Sequence, residues 1–488
     1  MMKRIKVGFL CASLIIGMCS VASCGKTEDK GSVRYLNFKP EVADVWEEVA
    51  QIYTEETGVE VEILNAPSNC NEQTLKSEIA KRNAPTLFQV NGPIGYEKWA
   101  YYCEDLSDTE LYSWVVDKDM VIKGNDGGVY GIPYVVEGYG IIYNQAIMDK
   151  YFSLGTKSTP YKSMDEINNF EALQAVAEDM QAHKAELGIK GTFASTSFAT
   201  GEDWRWQTHL MNLPIYYEYK DNNVSDLDTI DFTYGENYKD LLDLYIDNST
   251  CDKSELGNKT VSDSMSEFAR GECAMVQNGN WAWTQISETE GNVVTEDNCK
   301  YLPMYTGVAG EESQGLCIGT ECYMCLNSMV SDADKKASID FLEWLFSSDI
   351  GKDYVTNKFQ FITVFNTFST EETPSNPLAR EVATYINDTS KSSVSWNFTT
   401  FPSQEFKDML SNHLYSYISG EEDFDAVSEY VVSEWNLEKA GATPGTGENA
   451  EQGEADEEAE DEEAEDEQAE GEQTQDDANA EDEAEPEE

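Results

Sequence analysis

Residues 33–38 read VRYLNF, residues 41–56 read EVADVWEEVAQIYTEE, and residues 59–63 read VEVEI. The first and third stretches are short and either apolar or alternating between apolar and polar residues, as in β-strands. The middle stretch repeats its apolar residues at the spacing of an amphipathic helix. Gly58 follows it and suits the left-handed residue at a helix end. This order of elements predicts a β-strand, a helix and a second β-strand.

The same alternation continues with a helix over 75–82 and a strand over 86–90. Strands that alternate with helices are typical of a parallel α/β sheet. In such sheets, ligands bind beyond the carboxyl ends of the strands. We therefore expect a binding site near the loops at 38–41 and 89–93.

A second domain is expected in the part of the chain that we call the body, between the first 32 residues and residue 441. Its roughly 410 residues are more than one hydrophobic core usually holds. Residues 127–144 are rich in glycine and apolar residues and predict an extended crossing segment. Helices are predicted over 170–188 and 335–346 from their apolar periodicity. The stretch CIGTECYMCLN at 317–327 predicts one strand.

The first 24 residues have the pattern of a secretory signal peptide. Basic residues precede an apolar run that is too short to span a bilayer, and VASCG at 21–25 resembles a bacterial lipobox. That resemblance implies cleavage before Cys24, a lipid on its sulfur and a tether over 25–32. The predicted location is the outer face of the cytoplasmic membrane; cleavage without lipid, followed by secretion, is the alternative.

The C-terminal segment 441–488 holds 23 Asp or Glu residues and no Lys or Arg. Such a composition predicts a disordered acidic tail. The whole chain has a formal charge of −60, so the body is also strongly acidic. This charge argues against nucleic acid as a partner and favours a neutral or cationic ligand, such as a sugar.

The cysteines do not predict a metal site. Cys322 and Cys325 have the spacing of a zinc pair, but a second pair is missing and the chain has only three histidines. We interpret the body cysteines as buried thiols, with their disulfide state left open, and expect neither a metal nor another cofactor.

Four stretches together resemble the carbohydrate-class extracellular solute-binding proteins of ABC importers, a group that includes maltose-binding protein. They are GVYGIPYVVEGYGIIYN (128–144), FARGECAMVQNGNWAWTQI (268–286), KYLPMYTG (300–307) and KKASIDFLEWLFS (335–347). The resemblance implies an α/β, two-lobed, hinged fold of the periplasmic-binding-protein type II. It places lobe 1 at 33–137 and 300–347, and lobe 2 at 138–299 and 348–440.

The tryptophans are the main candidate ligand contacts. An indole stacks on the C–H face of a sugar ring and leaves the hydroxyls free. Trp281 follows an Asn-Gly-Asn turn that can project it into a cleft, whereas Trp283 faces another way and is expected to pack. Trp204, with Glu202 and Asp203 beside it, forms the second group of candidates. The two carboxylates are included since carboxylates accept hydrogen bonds from sugar hydroxyls. Trp206 is a further candidate, with a buried position as the alternative.

The other candidates come from the crossing segments and the strand ends. Glu137 matches an acidic position of the family's crossing segment, and burying it requires a ligand hydroxyl or a basic side chain as partner. The remaining candidates are Tyr139, Lys39, Gln89, Asn91, Glu321 and Trp396.

The sequence thus predicts a monomeric solute-binding lipoprotein without enzymatic activity. It would capture an oligosaccharide between lobes that carry aromatic platforms on both sides, and deliver it to a membrane permease. The Trp-Ala-Trp motif at 281–283 most resembles that of the maltodextrin-binding proteins, which favours an α-1,4-gluco-oligosaccharide as the ligand. The alternatives are an extracellular glycoside hydrolase, which would use similar platforms and carboxylates, and a surface adhesin.

Overall fold

The computed structural model describes residues 29–67, 71–369 and 371–441. The signal peptide with Cys24 and nearly all of the predicted acidic tail lie outside the described residues. Within the described ranges the strands are β1 Ser32–Asn37, β2 Glu60–Asn65, β3 Leu87–Asn91, β4 Ile122–Lys123, β5 Val129–Pro133, β6 Glu137–Asn144, β7 Gly191–Phe193, β8 Cys273–Gly279, β9 Cys299–Leu302, β10 Gln314–Gly319, β11 Cys322–Leu326 and β12 Ser392–Ser395.

The α-helices of the same ranges pack around these strands. They are α1 Ala43–Thr57, α2 Asn71–Ile79, α3 Gly92–Trp99, α4 Glu110–Trp114, α5 Gln145–Phe152, α6 Phe170–Ala182, α7 Lys184–Leu187, α8 Asn212–Asn222, α9 Gly235–Asp247, α10 Val261–Ala269, α11 Ala282–Glu288, α12 Asp332–Ser347, α13 Asp349–Asn357, α14 Pro377–Asn387, α15 Gln404–Ser419 and α16 Phe424–Lys439.

The first sheet has the strand order β2-β1-β3-β11-β5-β4. β1 pairs in parallel with both β2 and β3, which confirms the parallel arrangement predicted from the N-terminal alternation. β11 then pairs antiparallel with β3 and β5. Gly58 ends α1 at φ 71°, in the left-handed conformation expected for it. We call this sheet and the helices packed on its core the first lobe.

The second sheet has the order β12-β10-β6-β8-β7, with β9 also paired to β6. β6 is buried along its whole length, because β8, β9 and β10 flank it and helices cover it. Its neighbours form a core separate from that of the first sheet. We call this sheet and its helices the second lobe. The two-lobed α/β fold class is thus confirmed.

Extended segments join the two lobes. The predicted crossing at 127–144 is confirmed: β5 lies in the first sheet and β6 in the second. The prediction of one strand at 317–327 is wrong, because β10 ends in the second sheet and β11 begins in the first. Thr320 and Glu321 make this second crossing.

The lobe boundaries drawn from the sequence need two corrections. β9 and β10 belong to the second sheet, although we placed 300–347 entirely in lobe 1. Phe359, Phe361 and Phe365 pack in the first core, although we placed 348–440 in lobe 2. The physical reason is that the chain enters the first lobe at Thr320–Glu321, a site with no turn signal in its sequence, and returns to the second lobe only between Phe365 and Leu378.

The predicted helix over 170–188 is divided at His183. The His183 amide is shared between the carbonyl oxygens of Asp179 and Met180, so the α-helical ladder ends there. The short α7 then ends at Gly188 with φ 74°, as predicted.

Of the described cysteines, all are unpaired, and each except Cys251 is buried. Among the described residues, no helix combines the length and the apolar character needed to cross a bilayer.

Candidate functional site

A cavity of about 420 Å³ lies between the two lobes. Its first-lobe lining comes from loops that follow β1 and β3 and from the start of α2. This position confirms that the carboxyl ends of these parallel strands face the cavity. The described residues that line it are Phe38, Lys39, Pro40, Glu41, Asn71, Glu72, Asn91, Glu137, Glu202, Trp204, Gln207, Thr208, His209, Val261, Ser262, Trp281, Gln285, Glu321, Cys322, Trp396, Gln404 and Lys407.

Lys39 and Glu137 form a buried ion pair at the base of this cavity. The Lys39 Nζ lies 2.8 Å from both carboxylate oxygens of Glu137 and 3.7 Å from Glu41. Burial alone lowers the pKa of Lys39, but the carboxylates of Glu137 and Glu41 outweigh it and raise that pKa above its ordinary value. The partner that the sequence analysis required for Glu137 is therefore a basic side chain. The pair joins the first lobe to the first crossing segment.

Asn91 lies at the end of β3 and lines the cavity. Its Oδ1 is buried and has no hydrogen-bond partner among the described residues. An unpaired buried acceptor costs free energy, so a donor from a ligand or from solvent would stabilise it. Asn91 is thus placed to accept a hydrogen bond from a bound hydroxyl group.

Trp281 reaches the cavity just after β8. The expected Asn-Gly-Asn turn is wrong, because Asn278 and Gly279 pair with β6 as the last residues of β8 and only Asn280 lies beyond the strand. Its indole lies over Gly279, where an added Cβ would come within 2.2 Å of the ring. Any other residue at 279 would therefore displace the indole. Trp283, two residues on, is 9% exposed and packs in a core cluster, which confirms its predicted role.

Trp204 and Trp396 lie beside Trp281. The ring centroids of Trp204 and Trp281 are 6.2 Å apart at 48°, and those of Trp281 and Trp396 are 6.4 Å apart at 86°. Trp281 and Trp204 are half-buried, whereas Trp396 is 7% exposed. Three indoles with different orientations thus meet at one wall and offer apolar faces at several angles.

His209 completes this group, although it was not among the candidate residues drawn from the sequence. Its ring stacks on Tyr139 at 4.1 Å and 10°, and it lies edge-on to Trp204. Burial, with help from the charge of Arg205, lowers the pKa of His209 to about 3. The imidazole is therefore neutral at ordinary pH. We call Trp204, His209, Trp281 and Trp396 the aromatic wall.

The aromatic wall belongs to the second lobe. The first lobe supplies mostly amide and charged groups, which we call the polar wall: Lys39, Glu41, Asn71, Glu72 and Asn91. Of the aromatic residues in the described lining, the first lobe supplies only Phe38, which is buried, and the tryptophans all come from the second lobe.

Two further carboxylates occupy the cavity lining. Glu202 accepts a hydrogen bond from the amide of Val261 at 3.0 Å, which caps α10. Glu321, on the second crossing, faces the ammonium groups of Lys407 and Lys39. Burial raises the pKa of Glu321 and lowers that of Lys407. These groups are available to accept and donate hydrogen bonds around a ligand.

Four predicted site residues lie outside the cavity lining. Trp206 is buried and donates its indole N–H to the Ser197 carbonyl at 2.9 Å. Gln89 is buried in β3, where it accepts from the Phe38 amide and donates to the Tyr134 hydroxyl. Both side chains are already satisfied within the protein, so we withdraw them as ligand contacts.

Tyr139 and Asp203 are corrected for a similar reason. Tyr139 is fully buried behind His209 and donates its hydroxyl to the His209 carbonyl. Asp203 is not part of the lining; burial raises its pKa, and hydrogen bonding with Ser411 and Gln207 opposes that shift. Tyr139 therefore supports His209 of the aromatic wall, and Asp203 contacts the lining residue Gln207.

Several polar side chains of the lining were not among the residues predicted from the sequence, notably Asn71, Glu72, Gln207 and Lys407. Lys407 lies on α15, more than 120 positions from Trp281, and no motif marks it. Gln207 and His209 lie on a π-helical turn, Arg205–Leu210, that follows Trp204 directly. A π turn often marks a functional site but has no sequence signature that identified it here.

A larger cavity of about 850 Å³ shares only Trp396 with the predicted site residues. Its lining otherwise comes from α3, β4 and the loop before β4, together with residues near β10 and β12. The smaller cavity is the better candidate site, because charged groups, unpaired amides and three indoles converge on it.

Among the described residues, no group of three or more His, Cys, Asp or Glu side chains has an arrangement that would hold a metal ion.

Comparison with known families agrees with this geometry. A family model described as "bacterial extracellular solute-binding protein" matches residues 48–381. Among curated proteins, the melibiose/raffinose/stachyose-binding protein MelE of Bacillus subtilis (strain 168) is 26% identical over 175 residues. That match covers 35% of this chain and 38% of MelE, well short of the relative's full length.

Solved structures share the fold over most of the chain. A chitin oligosaccharide binding protein superposes with a TM-score of 0.66 at 18% identity, over 84% of this chain and 100% of that one. RafE in complex with raffinose gives 0.63 at 16% identity, over 84% and 99%. A sugar transporter protein from Bacillus licheniformis in complex with stachyose gives 0.61 at 15% identity, over 83% and 100%. At these identities the likeness concerns the fold.

Proposed function

Since this chain belongs to the bacterial extracellular solute-binding protein family, we propose that it captures an oligosaccharide between its lobes and delivers it to the permease of an ABC importer. The observation that carries the proposal is the aromatic wall facing the polar wall across one cavity. Indoles remove the C–H faces of sugar rings from water, and amide and charged groups replace the water bound to the hydroxyls.

The charge of the cavity favours an uncharged saccharide. The described part of its lining holds five glutamates and two lysines, and His209 is neutral. One glutamate, Glu137, is neutralised by Lys39, so carboxylates remain in excess. Uronic acids and phosphorylated sugars would be repelled, whereas hydroxyl groups donate hydrogen bonds to carboxylates.

The mechanism is capture followed by closure. A saccharide that stacks on Trp281 and Trp204 in the second lobe would also contact Asn91 and its neighbours in the first lobe. Contacts to both lobes exist only when the lobes are close together, so the ligand shifts the population toward the closed state. The closed, monomeric protein would then dock on the permease, held near the membrane by a lipid on Cys24.

Among saccharides, an α-1,4-gluco-oligosaccharide remains our first choice, on the resemblance of the NGNWAW segment to maltodextrin binders. The names of the relatives point instead to raffinose, stachyose and chitin oligosaccharides. Both groups therefore belong in the first binding experiment.

The test is titration calorimetry of the chain without residues 1–24. The panel comprises maltotriose, maltotetraose, raffinose, stachyose, chitotriose, xylotriose and a galacturonate trimer. We expect one neutral series to bind and the galacturonate trimer not to bind. Trp281→Ala should reduce the affinity about 100-fold, in the range of hot-spot aromatic residues. Trp114→Ala, which removes a half-buried indole outside the cavity lining, is the matched control.

Two results would contradict the proposal. Unchanged affinity in Trp281→Ala would remove the aromatic wall from the binding site. Release of shorter sugars during the titration, detected by chromatography, would support a glycoside hydrolase instead.

A further inference from the structure

Arg205 is a buried cation whose charge is favoured by the carboxylates of Glu202 and Glu267, although neither is close enough to form a salt bridge with it. It is 1% exposed and forms no salt bridge with a described residue. Burial lowers its pKa to about 10, which leaves the guanidinium charged at ordinary pH. Burying an unpaired charge is costly unless several hydrogen bonds compensate it. A charge buried at this cost in free energy indicates that its hydrogen bonds have a specific structural role.

The hydrogen bonds of Arg205 join separate segments of the second lobe. Its Nη1 donates to the Gln277 carbonyl at 3.1 Å, and its Nη2 donates to the hydroxyls of Ser264 and Ser197. In return, the Gln277 side chain donates to the Arg205 carbonyl at 3.0 Å. Arg205 and Gln277 are thus connected in both directions.

Both connected segments carry an indole of the aromatic wall. Trp204 directly precedes Arg205, and Gln277 lies in β8, four residues before Trp281. The guanidinium also lies 6.0 Å from the Trp204 ring and 5.4 Å from the buried Trp206 ring. A guanidinium is planar and presents its donors in a rigid fork, so it fixes the relative placement of the groups that it bridges.

We propose that Arg205 is a positioning residue that sets the distance and angle between the Trp204 and Trp281 rings, and through them the affinity of the cavity. The part that concerns ring geometry is independent of the ligand. The part that concerns affinity rests on the proposed function.

The ring geometry has a spectroscopic signature. Two indoles at 6.2 Å couple their electronic transitions, and the sign and size of the resulting circular-dichroism couplet depend on their distance and angle. The difference spectrum between the wild type and Trp204→Phe isolates the part of the couplet that involves Trp204. Trp281→Phe should remove the same feature, which assigns it to this pair.

Three substitutions then test Arg205 in the chain without residues 1–24. Arg205→Met removes the donors and keeps the unbranched stem, Arg205→Lys keeps the charge but not the fork, and Arg270→Met changes an arginine at the solvent-facing end of α10 as a control. We expect Arg205→Met to reduce the couplet by about half or more and the affinity about tenfold, the effect of losing a charge-assisted hydrogen bond. Arg205→Lys should give an intermediate result, and Arg270→Met none.

Arg205→Lys keeps the test decisive if Arg205→Met fails to fold, because lysine keeps the charge and a donor at the end of a similar stem. A normal couplet and normal affinity in either variant, once it is shown to be folded, would overturn the proposal. So would a loss of affinity with an unchanged couplet, since Arg205 would then act by another route. If the wild type binds no member of the panel, the proposed function fails, but the couplet still decides whether Arg205 positions the two rings.

Discussion

The two walls of the cavity are built differently. The aromatic wall of the second lobe presents three indoles and one neutral imidazole, which pack against each other at centroid distances of 4.9–6.4 Å. The polar wall of the first lobe presents charged and amide groups at strand ends and a helix start. On the proposed function, the two walls have different roles. The aromatic wall would bind the ligand by stacking, and the polar wall would form hydrogen bonds to it only as the lobes close.

The polar wall should show its largest effect in stability rather than in affinity. Lys39→Met leaves the Glu137 carboxylate buried without its partner, and breaking a buried pair in this way costs about 3 kcal/mol of unfolding free energy. The double variant Lys39→Met/Glu137→Gln should recover at least half of this loss, because the amide carries no charge. Urea unfolding of the three proteins measures both quantities.

The matched control for this experiment is Lys336→Met, which breaks a surface pair with Asp340 of similar N–O distance, 2.6 Å. Exposed pairs contribute less than about 1 kcal/mol, so this variant should unfold almost as the wild type does. Equal losses in Lys39→Met and Lys336→Met would show that the pair at the cavity base is as well solvated as one on the surface.

The next largest contrast concerns affinity. Trp204→Ala removes a stacking face of the aromatic wall and should weaken binding about 30-fold, equivalent to about 2 kcal/mol. Asn91→Ala removes one neutral hydrogen bond of the polar wall and should weaken it only about threefold to tenfold. Calorimetry with whichever saccharide binds the wild type compares them directly. A larger loss for Asn91→Ala would reverse the proposed roles of the two walls.

The contrast between the walls explains what the sequence could predict. The polar wall follows strand ends, and the alternation of strands and helices predicted both its place and the parallel sheet. Trp281 lines the cavity as expected, but it follows the end of a strand rather than the expected turn, because Asn278 and Gly279 are paired in β8. Trp206 was not, because the π turn that follows Trp204 alters the angular spacing on which helical faces are assigned. Lys407 approaches only through tertiary packing of α15, which leaves no local signal.

The neutral state of His209 predicts a pH dependence of stability. The pKa is about 3 in the folded protein and 6.5 in the unfolded chain, so below pH 6.5 the unfolded chain takes up a proton that the folded protein does not. Stability should therefore fall by about 1 kcal/mol for each pH unit as the pH decreases from 6.5 towards 3. His209→Gln removes this contribution, and unfolding at pH 7, 6 and 5 would show a shallower slope.

His413→Gln is the control for the pH experiment. That histidine lies on α15, where it contacts Glu422 and Tyr430 rather than residues of the aromatic wall. An identical slope in the wild type and in His209→Gln would mean that His209 takes up its proton over the same pH range in the folded and the unfolded protein. The aromatic wall would then gain a positive charge as the pH falls below about 6.5, and the expected neutrality of the imidazole in mild acid would be wrong.

The smallest expected effect separates the aromatic wall from the core behind it. Trp206→Phe keeps an aromatic ring but loses the indole hydrogen bond to Ser197, which contributes about 1 kcal/mol to stability. Its affinity should stay within about twofold of the wild type, because the side chain is buried outside the cavity lining. Thermal unfolding and calorimetry on the same sample measure both. A tenfold loss of affinity at unchanged stability would instead place Trp206 within the aromatic wall, and the boundary between wall and core would have to be moved one layer deeper.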